Sequence, residues 1–164
     1  MSVDRPPLST AALRDLALRY VGKYATSEAK LRRYLGRKLF ERGWSEDGPP
    51  QIDAVVARLA DLGYVDDRVF AEGRARNLGG RGFGARRVAA DLGAAGVARE
   101  LAVEVAATGD AFAVALAFAR RRRLGPFDPN PPDADRRRKA FATMMRAGHS
   151  VAETRKILAG QLEE

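Results

Sequence analysis

The sequence predicts an all-α fold of tandem three-helix repeats, with three modules and nine helices forming an elongated, curved molecule. Two observations support this class. Apolar residues recur with helical spacing along nearly all of the 164 residues, and alternating strand patterns are absent. Glycines also recur at matching points: Gly43, Gly96 and Gly148 each follow the second helix of a trio, at spacings of 53 and 52 residues.

The first three helical stretches are divided by short glycine-rich or polar breaks. The first runs from about Thr10 to Tyr24. The second begins at Ser27, a suitable N-cap residue, and ends before Gly43, with leucines every four residues that form one buried stripe. The third follows Gly48-Pro49-Pro50. Its apolar face is formed by Ile52, Val55, Val56, Leu59 and Leu62.

The middle three stretches begin at two adjacent carboxylates. Asp66 and Asp67 open the fourth stretch, and we interpret them as helix caps. A metal site or an acid–base pair is the alternative, but adjacent residues at a helix start point in different directions. The fifth stretch spans about Gly84 to Ala95, and the sixth carries Leu101 and Val105.

The last three stretches enclose a proline-rich segment. The seventh follows Thr108-Gly109-Asp110 and ends near Gly125, and the loop Pro126–Pro132 is expected to be mobile. The eighth spans about Asp133 to Ala147. The ninth opens with Ser150 and Glu153 in the S-x-x-E pattern of a capping box.

The glycine spacing predicts module boundaries at 1–62, 63–109 and 110–164. A unit of about 50 residues has little core of its own, so neighbouring modules must stack or share faces. The alternative is a single nine-helix globule in which the spacing is a coincidence.

Composition excludes several classes of protein. The chain has no cysteine and one histidine, which excludes disulfide frameworks, thiolate metal sites and multi-histidine metal centres. No apolar run approaches the roughly 18 residues of a membrane span. The start of the chain does not resemble a secretory signal, so we expect a cytoplasmic protein. No catalytic constellation is present, so we expect a non-enzymatic protein without cofactor or metal. We also expect a monomer.

Positive charge is the main functional signal. The chain has 29 Lys and Arg against 21 Asp and Glu, a net charge of +8, which suggests a polyanionic partner. Each module carries a basic cluster. The candidate partner- or DNA-binding residues are Arg32, Arg33, Arg74, Arg76, Arg81, Arg86, Arg87, Arg120, Arg121, Arg122, Arg123, Arg136, Arg137 and Arg138. On stacked modules these arginines could form a basic stripe that binds an extended anion. The alternative is that they are solvated charges on helix faces. For the run 120–123, a further alternative is that the positive charges complement the dipole at a helix C-terminus.

Other motifs favour structural roles. The pattern G-x-G-x-x-A at Gly80–Ala85 follows a helix instead of the strand that a dinucleotide site requires. We interpret the segment Gly79–Gly84 as a flexible connector that lets Arg81 approach a partner closely. His149 is interpreted as a packing residue. Trp44 and Tyr64 are interpreted as core or joint residues, with base stacking as the alternative.

Two segments in the middle of the chain resemble a known family. Leu62–Ala71, with the sequence LGYVDDRVFA, is similar to a segment of the RecX family, the bacterial regulatory proteins of the recombinase RecA. Arg81–Val88, followed by Leu92, Gly96 and Val97, resembles that family's R-G-x-G-x-x-x-[IV]-x-x-x-L-x-x-x-G-[IV]. The flanking trios fit more loosely, so that the resemblance spans nearly the whole chain.

The resemblance implies a tandem three-helix repeat fold and a modulator of RecA. Such a protein would bind RecA filaments on single-stranded DNA and mainly inhibit the recombinase, ATPase and co-protease activities, which tunes DNA repair and the SOS response. The alternative hypothesis is an autonomous basic module that binds nucleic acid without RecA. Weak direct contact with DNA is compatible with both.

Overall fold

The computed structural model describes residues 5–130 and 133–162. Within these ranges the chain forms nine α-helices and one short 3₁₀ helix, and its only β-structure is an isolated bridge. The helices are α1 (Thr10–Lys23), α2 (Glu28–Arg42), α3 (Ile52–Asp61), α4 (Asp67–Gly80), α5 (Ala85–Ala94), α6 (Arg99–Ala106), α7 (Ala111–Arg122), α8 (Ala134–Arg146) and α9 (Val151–Leu158), with the 3₁₀ helix at Gly125–Phe127. The predicted all-α class is confirmed.

The chain divides into two compact units. Among the described residues, the first unit comprises those up to Phe70 together with Ala95–Val97, and the second comprises Ala71–Ala94 and those from Ala98 onward. The three modules with boundaries at 1–62, 63–109 and 110–164 stay a prediction.

The three repeat glycines all adopt a backbone conformation that favours glycine. Gly43, Gly96 and Gly148 follow α2, α5 and α8, and their φ values are +78°, +84° and +93°. A side chain at such a φ meets the neighbouring backbone, so glycine is the residue of lowest cost there. The glycine after each second helix therefore has a positive φ in all three trios, although Gly43 is itself the C-cap of α2 and Gly148 follows the C-cap Ala147.

In the first unit, α1, α2 and α3 pack against one another around an aliphatic core. The segment before α1 joins this core, because the Leu8 N–H donates to the Gly43 carbonyl at 2.9 Å and the Leu8 carbonyl accepts from the Ser45 N–H at 3.0 Å. Leu8 is fully buried, and Trp44 packs against the same cluster. The core residues are Leu8, Leu13, Ala17, Leu31, Leu35, Val55, Val56, Leu59 and Val65.

In the second unit, α7 and α8 both pack against α9, and α5 packs against α6. The core of these helices consists of residues from α7, from α9 and from the end of α8 with the turn after it: Ala115, Phe118, Ala119, Met144, Ala147 and Ile157. The segment expected to be a mobile loop begins as an ordered 3₁₀ helix, because Phe127 packs against this core. Pro131 and Pro132 of that segment lie outside the described residues, as do Glu163 and Glu164 at the end of the sequence.

The two adjacent aspartates cap two different helices. The Asp66 carboxylate accepts from the N–H groups of Arg68 (2.8 Å) and Val69 (3.0 Å) at the start of α4, as the sequence predicts. The Asp67 carboxylate instead accepts from the N–H of Glu28, the first residue of α2, at 2.9 Å. Asp67 therefore fastens the start of α4 to the start of α2, which sequence spacing did not indicate.

Replacing Asp67 with alanine is expected to lower the free energy of unfolding by about 1 kcal/mol, the usual loss for a removed helix cap. Urea unfolding followed by circular dichroism measures this change. Asp61→Ala is the matched control, since Asp61 is an exposed carboxylate at the end of α3, where a negative charge does not favour the helix. An equal loss in both variants would contradict the cap across the two helices.

Candidate partner-binding surface

The fourteen candidate arginines differ in what their guanidinium groups contact. Arg32 on α2 lies 2.9 Å from the carboxylate of Glu28 and 2.9 Å from that of Asp53. Arg74 on α4 makes a two-point contact with Asp91 on α5, at 2.7 and 3.0 Å, and this hydrogen bonding raises the pKa of Arg74. These two arginines hold helices together, and their charge is already compensated.

The basic cluster at the start of α8 is also largely neutralised. Arg136 lies 3.3 Å from Asp133 and 3.5 Å from Asp128, and Arg138 lies 2.5 Å from Asp135. The Arg136 backbone N–H donates to the Asp133 carboxylate and lowers its pKa. Four of the predicted cations, on α2, α4 and α8, are thus paired with carboxylates.

A second group of arginines contacts aromatic rings. The guanidinium groups of Arg81 and Arg87 lie 5.3 and 5.1 Å from the ring centre of Phe83. The guanidinium groups of Arg120 and Arg122 lie 5.5 Å from the Phe127 ring and 5.8 Å from the Phe118 ring. A cation over an aromatic face keeps its full positive charge, while its position is restricted.

The connector between α4 and α5 meets the end of α7. The Arg121 guanidinium donates to the backbone carbonyl of Arg81. Gly82, at a φ of +86°, lets this approach occur, since a Cβ there would lie 2.5 Å from the Arg121 side chain and 3.1 Å from Phe118. Arg123 ends α7 with a φ of 53°, the left-handed conformation of a C-cap.

The turn between α8 and α9 supports the connector from the other side. The Gly84 N–H donates to the Ala147 carbonyl at 2.9 Å, and the Arg86 N–H donates to the Gly148 carbonyl at 3.2 Å. A Cβ on Gly84 would lie 2.5 Å from the Gly148 carbonyl carbon, so the two backbones touch at a pair of glycines. Contacts with the end of α7 and with the turn between α8 and α9 thereby fix the position of the connector that carries Arg81 and Phe83.

An open groove of about 510 Å³ lies at this meeting point. We call it the arginine groove; it is lined by Gly80, Arg81, Phe83, Arg121 and Arg122. None of its lining residues is acidic, so Arg81, Arg121 and Arg122 line the groove without a carboxylate among them. The Arg81 guanidinium lies over the ring of Phe83, which also lines the groove. Such a groove suits a phosphate or carboxylate group, which a guanidinium contacts through two parallel hydrogen bonds.

The remaining candidates add exposed charge. Arg76 and Arg86 lie on α4 and α5 of the same unit as the arginine groove, and Arg137 lies on α8. Arg33, on α2 of the first unit, is exposed as well. The aromatic partners were missed from the sequence, although the i, i+4 spacing of Phe118 and Arg122 on one helix was a usable signal.

Of the three residues interpreted as packing residues, two lie as predicted. His149 is 1% exposed, its ring lies 5.1 Å from that of Phe118, and burial lowers its pKa, so it is neutral at pH 7. Trp44 packs against the core of the first unit. Tyr64 is not a core residue: it is 58% exposed in the turn after α3, because the next residue, Val65, fills the core instead.

Neither a membrane span nor a metal site is evident in the described part of the chain. No single helix there is long and apolar enough to cross a bilayer; one bent pair, Arg99–Ala106 with Ala111–Phe127, meets the length and composition test with a bend of 70°. No group of three or more His, Asp or Glu side chains within residues 5–130 and 133–162 is arranged to hold a metal ion.

Comparison with known proteins shows similarity along most of the sequence. The chain is 30% identical to the regulatory protein RecX of Myxococcus xanthus over 92% of this chain and 86% of that protein. It is 31% identical to the regulatory protein RecX of Agrobacterium fabrum, over 92% and 84% of the two chains. It is 33% identical to the protein of the same name from Thermobifida fusca, over 98% and 88%. No family model matches the chain.

The fold is similar to those of two solved structures. The crystal structure of RecX from Lactobacillus salivarius superposes with a TM-score of 0.75 over 93% of this chain and 96% of that one, at 16% sequence identity. A second crystal structure, of a regulatory protein RecX, superposes with a TM-score of 0.69 over 92% and 73%, at 18% identity. At these identities the structures support the fold, and the sequence relatives support the family.

Proposed function

Because this chain belongs to the RecX family, we propose that it regulates the recombinase RecA by binding RecA filaments on single-stranded DNA. The proposed effect is mainly inhibition of the recombinase, ATPase and co-protease activities, which would restrain recombination repair and the SOS response. The proposed form is a cytoplasmic monomer that performs no catalysis of its own, in keeping with relatives that are named regulatory proteins.

The arginine groove is the observation that carries this proposal. A filament of protein on DNA presents phosphates and acidic side chains at regular intervals, and both are ligands that guanidinium groups bind through paired hydrogen bonds. Arg81, Arg121 and Arg122 face one groove without a carboxylate among the lining residues. Phe83 holds Arg81 and Arg87 in place, so that less side-chain freedom is lost when an anion binds.

The regulatory effect follows from differential affinity. A protein that binds one state of the filament more tightly than another shifts the population toward the preferred state by the ratio of the two affinities. If the preferred state hydrolyses ATP slowly, binding lowers turnover without any change in the catalytic groups of RecA. A protein bound in the groove of the RecA filament would also hinder the entry of a second DNA molecule.

A titration of RecA ATPase activity tests the proposal. With RecA, single-stranded DNA and ATP in excess, we expect added protein to lower ATP turnover at stoichiometric amounts or below. Sedimentation of the protein with RecA filaments is measured in parallel. Unchanged turnover at saturating protein, together with no sedimentation above that seen with DNA alone, would count against the proposal.

The second candidate function is nucleic-acid binding without RecA. The net charge of +8 and the arginines over aromatic rings favour it. It predicts tight binding to single-stranded DNA alone, with an affinity that falls steeply as salt is added, because each neutralised phosphate releases counterions. Weak DNA binding at physiological salt combined with tight binding to RecA filaments would favour regulation of RecA over nucleic-acid binding without RecA.

A further inference from the structure

A second groove lies in the same unit, between α8, the end of α9 and the 3₁₀ helix. We call it the α8–α9 groove; it has a volume of about 470 Å³. Its floor is apolar and is formed by Leu124, Ala140 and Leu158, of which Ala140 is buried and the two leucines are half-buried. This size and floor are typical of sites that bind a small apolar group.

A hydrogen-bonded turn forms part of the lining of the groove. Gly125, with a φ of +60°, lets the 3₁₀ segment lie against α9, since a Cβ there would lie 2.8 Å from the Leu158 side chain. The Asp128 carboxylate accepts from the backbone and side-chain N–H groups of Asn130, both at 2.9 Å, and these bonds lower its pKa. Arg136 lies 3.5 Å from the same carboxylate, so an ion pair joins the turn to α8.

Cations line the α8 side of the groove. Arg136, Arg137 and Lys139 all line it. Arg136 pairs with aspartates, and Lys139 lies 2.7 Å from Asp135, whereas Arg137 forms no ion pair with any residue in the described ranges. All three stand in the first two turns of α8, where the helix dipole does not favour positive charge. The pairs with Asp133 and Asp135 compensate Arg136 and Lys139, so helix stability leaves only the placement of Arg137 without a reason.

We propose that the α8–α9 groove binds a short acidic peptide segment of a partner protein, with one apolar side chain on the floor and carboxylates against the rim. The floor favours an aliphatic side chain of a peptide over a nucleobase, because no aromatic ring on which a base could stack is among the lining residues. The rim favours acidic residues, because the Arg137 guanidinium has no ion-pair partner in the described ranges and can bind a carboxylate with charge-assisted hydrogen bonds. The one carboxylate among the lining residues, Asp128, already pairs with Arg136. This proposal does not depend on RecA or on the arginine groove.

The test is an NMR titration of the full ¹⁵N-labelled chain with a capped peptide of sequence EDLFDE. We expect shifts concentrated at the amides of Ala140, Thr143 and Leu158. Two matched peptides separate the contributions: QNLFNQ lacks the charge and EDSSDE lacks the apolar anchor, and we expect both to bind much more weakly. A single-stranded oligothymidylate is the fourth probe, and we expect its shifts to lie outside this groove.

Two charge reversals on one helix complete the test. Arg137→Glu changes a residue that lines the groove, and we expect it to weaken EDLFDE binding by about fivefold or more. Arg138→Glu makes the same charge change one residue away, on a side chain that does not line the groove and is 80% exposed, so the affinity should stay within about twofold. Absent shifts at millimolar peptide, equal losses in both variants, equal binding by EDSSDE, or stronger shifts here with oligothymidylate would each overturn the proposal.

Discussion

Replacing Gly148 with alanine is expected to lower the free energy of unfolding by about 3 kcal/mol, from backbone strain plus overpacking. The φ of Gly148 is +93°, and a Cβ there would lie 2.4 Å from the Arg87 backbone nitrogen and 2.5 Å from the Arg87 Cβ. Neither neighbour can move without shifting α5. In a chain of this size the loss corresponds to a fall in Tm of roughly 10 °C, measured by thermal unfolding together with urea titration.

Gly63→Ala is the control that separates clash from backbone strain. Gly63 ends α3 in the same kind of turn, with a φ of +76°, and its N–H donates to the Ala60 carbonyl at 2.9 Å, yet no atom lies within 4 Å of its Cβ position. We expect a loss of about 1 kcal/mol there, from the conformation alone. If both variants lost the same amount, the close contact between the α8–α9 turn and α5 would be contradicted.

Removing two charges from the arginine groove is expected to weaken inhibition of RecA about tenfold or more. The variant Arg81→Gln with Arg122→Gln removes two guanidinium groups that face the groove and pair with no carboxylate there. A total loss of about 1.4 kcal/mol in binding, less than one charge-assisted hydrogen bond per arginine, is enough for a tenfold change. The measurement is the protein concentration that halves RecA ATPase turnover on single-stranded DNA.

The matched control removes two arginines that already pair with carboxylates. Arg37 lies 3.6 Å from Glu41, and Arg138 lies 2.5 Å from Asp135. The variant Arg37→Gln with Arg138→Gln has the same net charge as the groove variant, and we expect its half-inhibiting concentration to change about twofold or less. Equal effects of the two variants would mean that net charge, and not the arginine groove, governs inhibition; urea unfolding confirms that both variants fold.

Helix boundaries could be predicted from the sequence because their signals are local. The second stretch was expected from Ser27 to before Gly43, and α2 spans Glu28–Arg42 with Ser27 as N-cap and Gly43 as C-cap. The capping box at Ser150 and Glu153 was likewise predicted, and both of its hydrogen bonds are present. Such bonds join residues three or four positions apart, so the residue types and their spacing are sufficient to predict them.

Which arginines remain available to a partner could not be predicted, because it depends on residues distant in sequence. Arg74 is neutralised by Asp91, 17 positions away, and Arg32 by Asp53, 21 positions away.

The sequence by itself determined the all-helical class, the repeat glycines, the excess of positive charge and the membership of a family. Only the tertiary structure decided that Arg81, Arg121 and Arg122 face a common groove while four other predicted cations are paired with acids. The physical reason is the separation along the sequence between the residues that interact. Helix periodicity and capping arise within one or two turns of chain, whereas the contact of Arg121 with the Arg81 carbonyl spans 40 positions and exists only once the helices have packed.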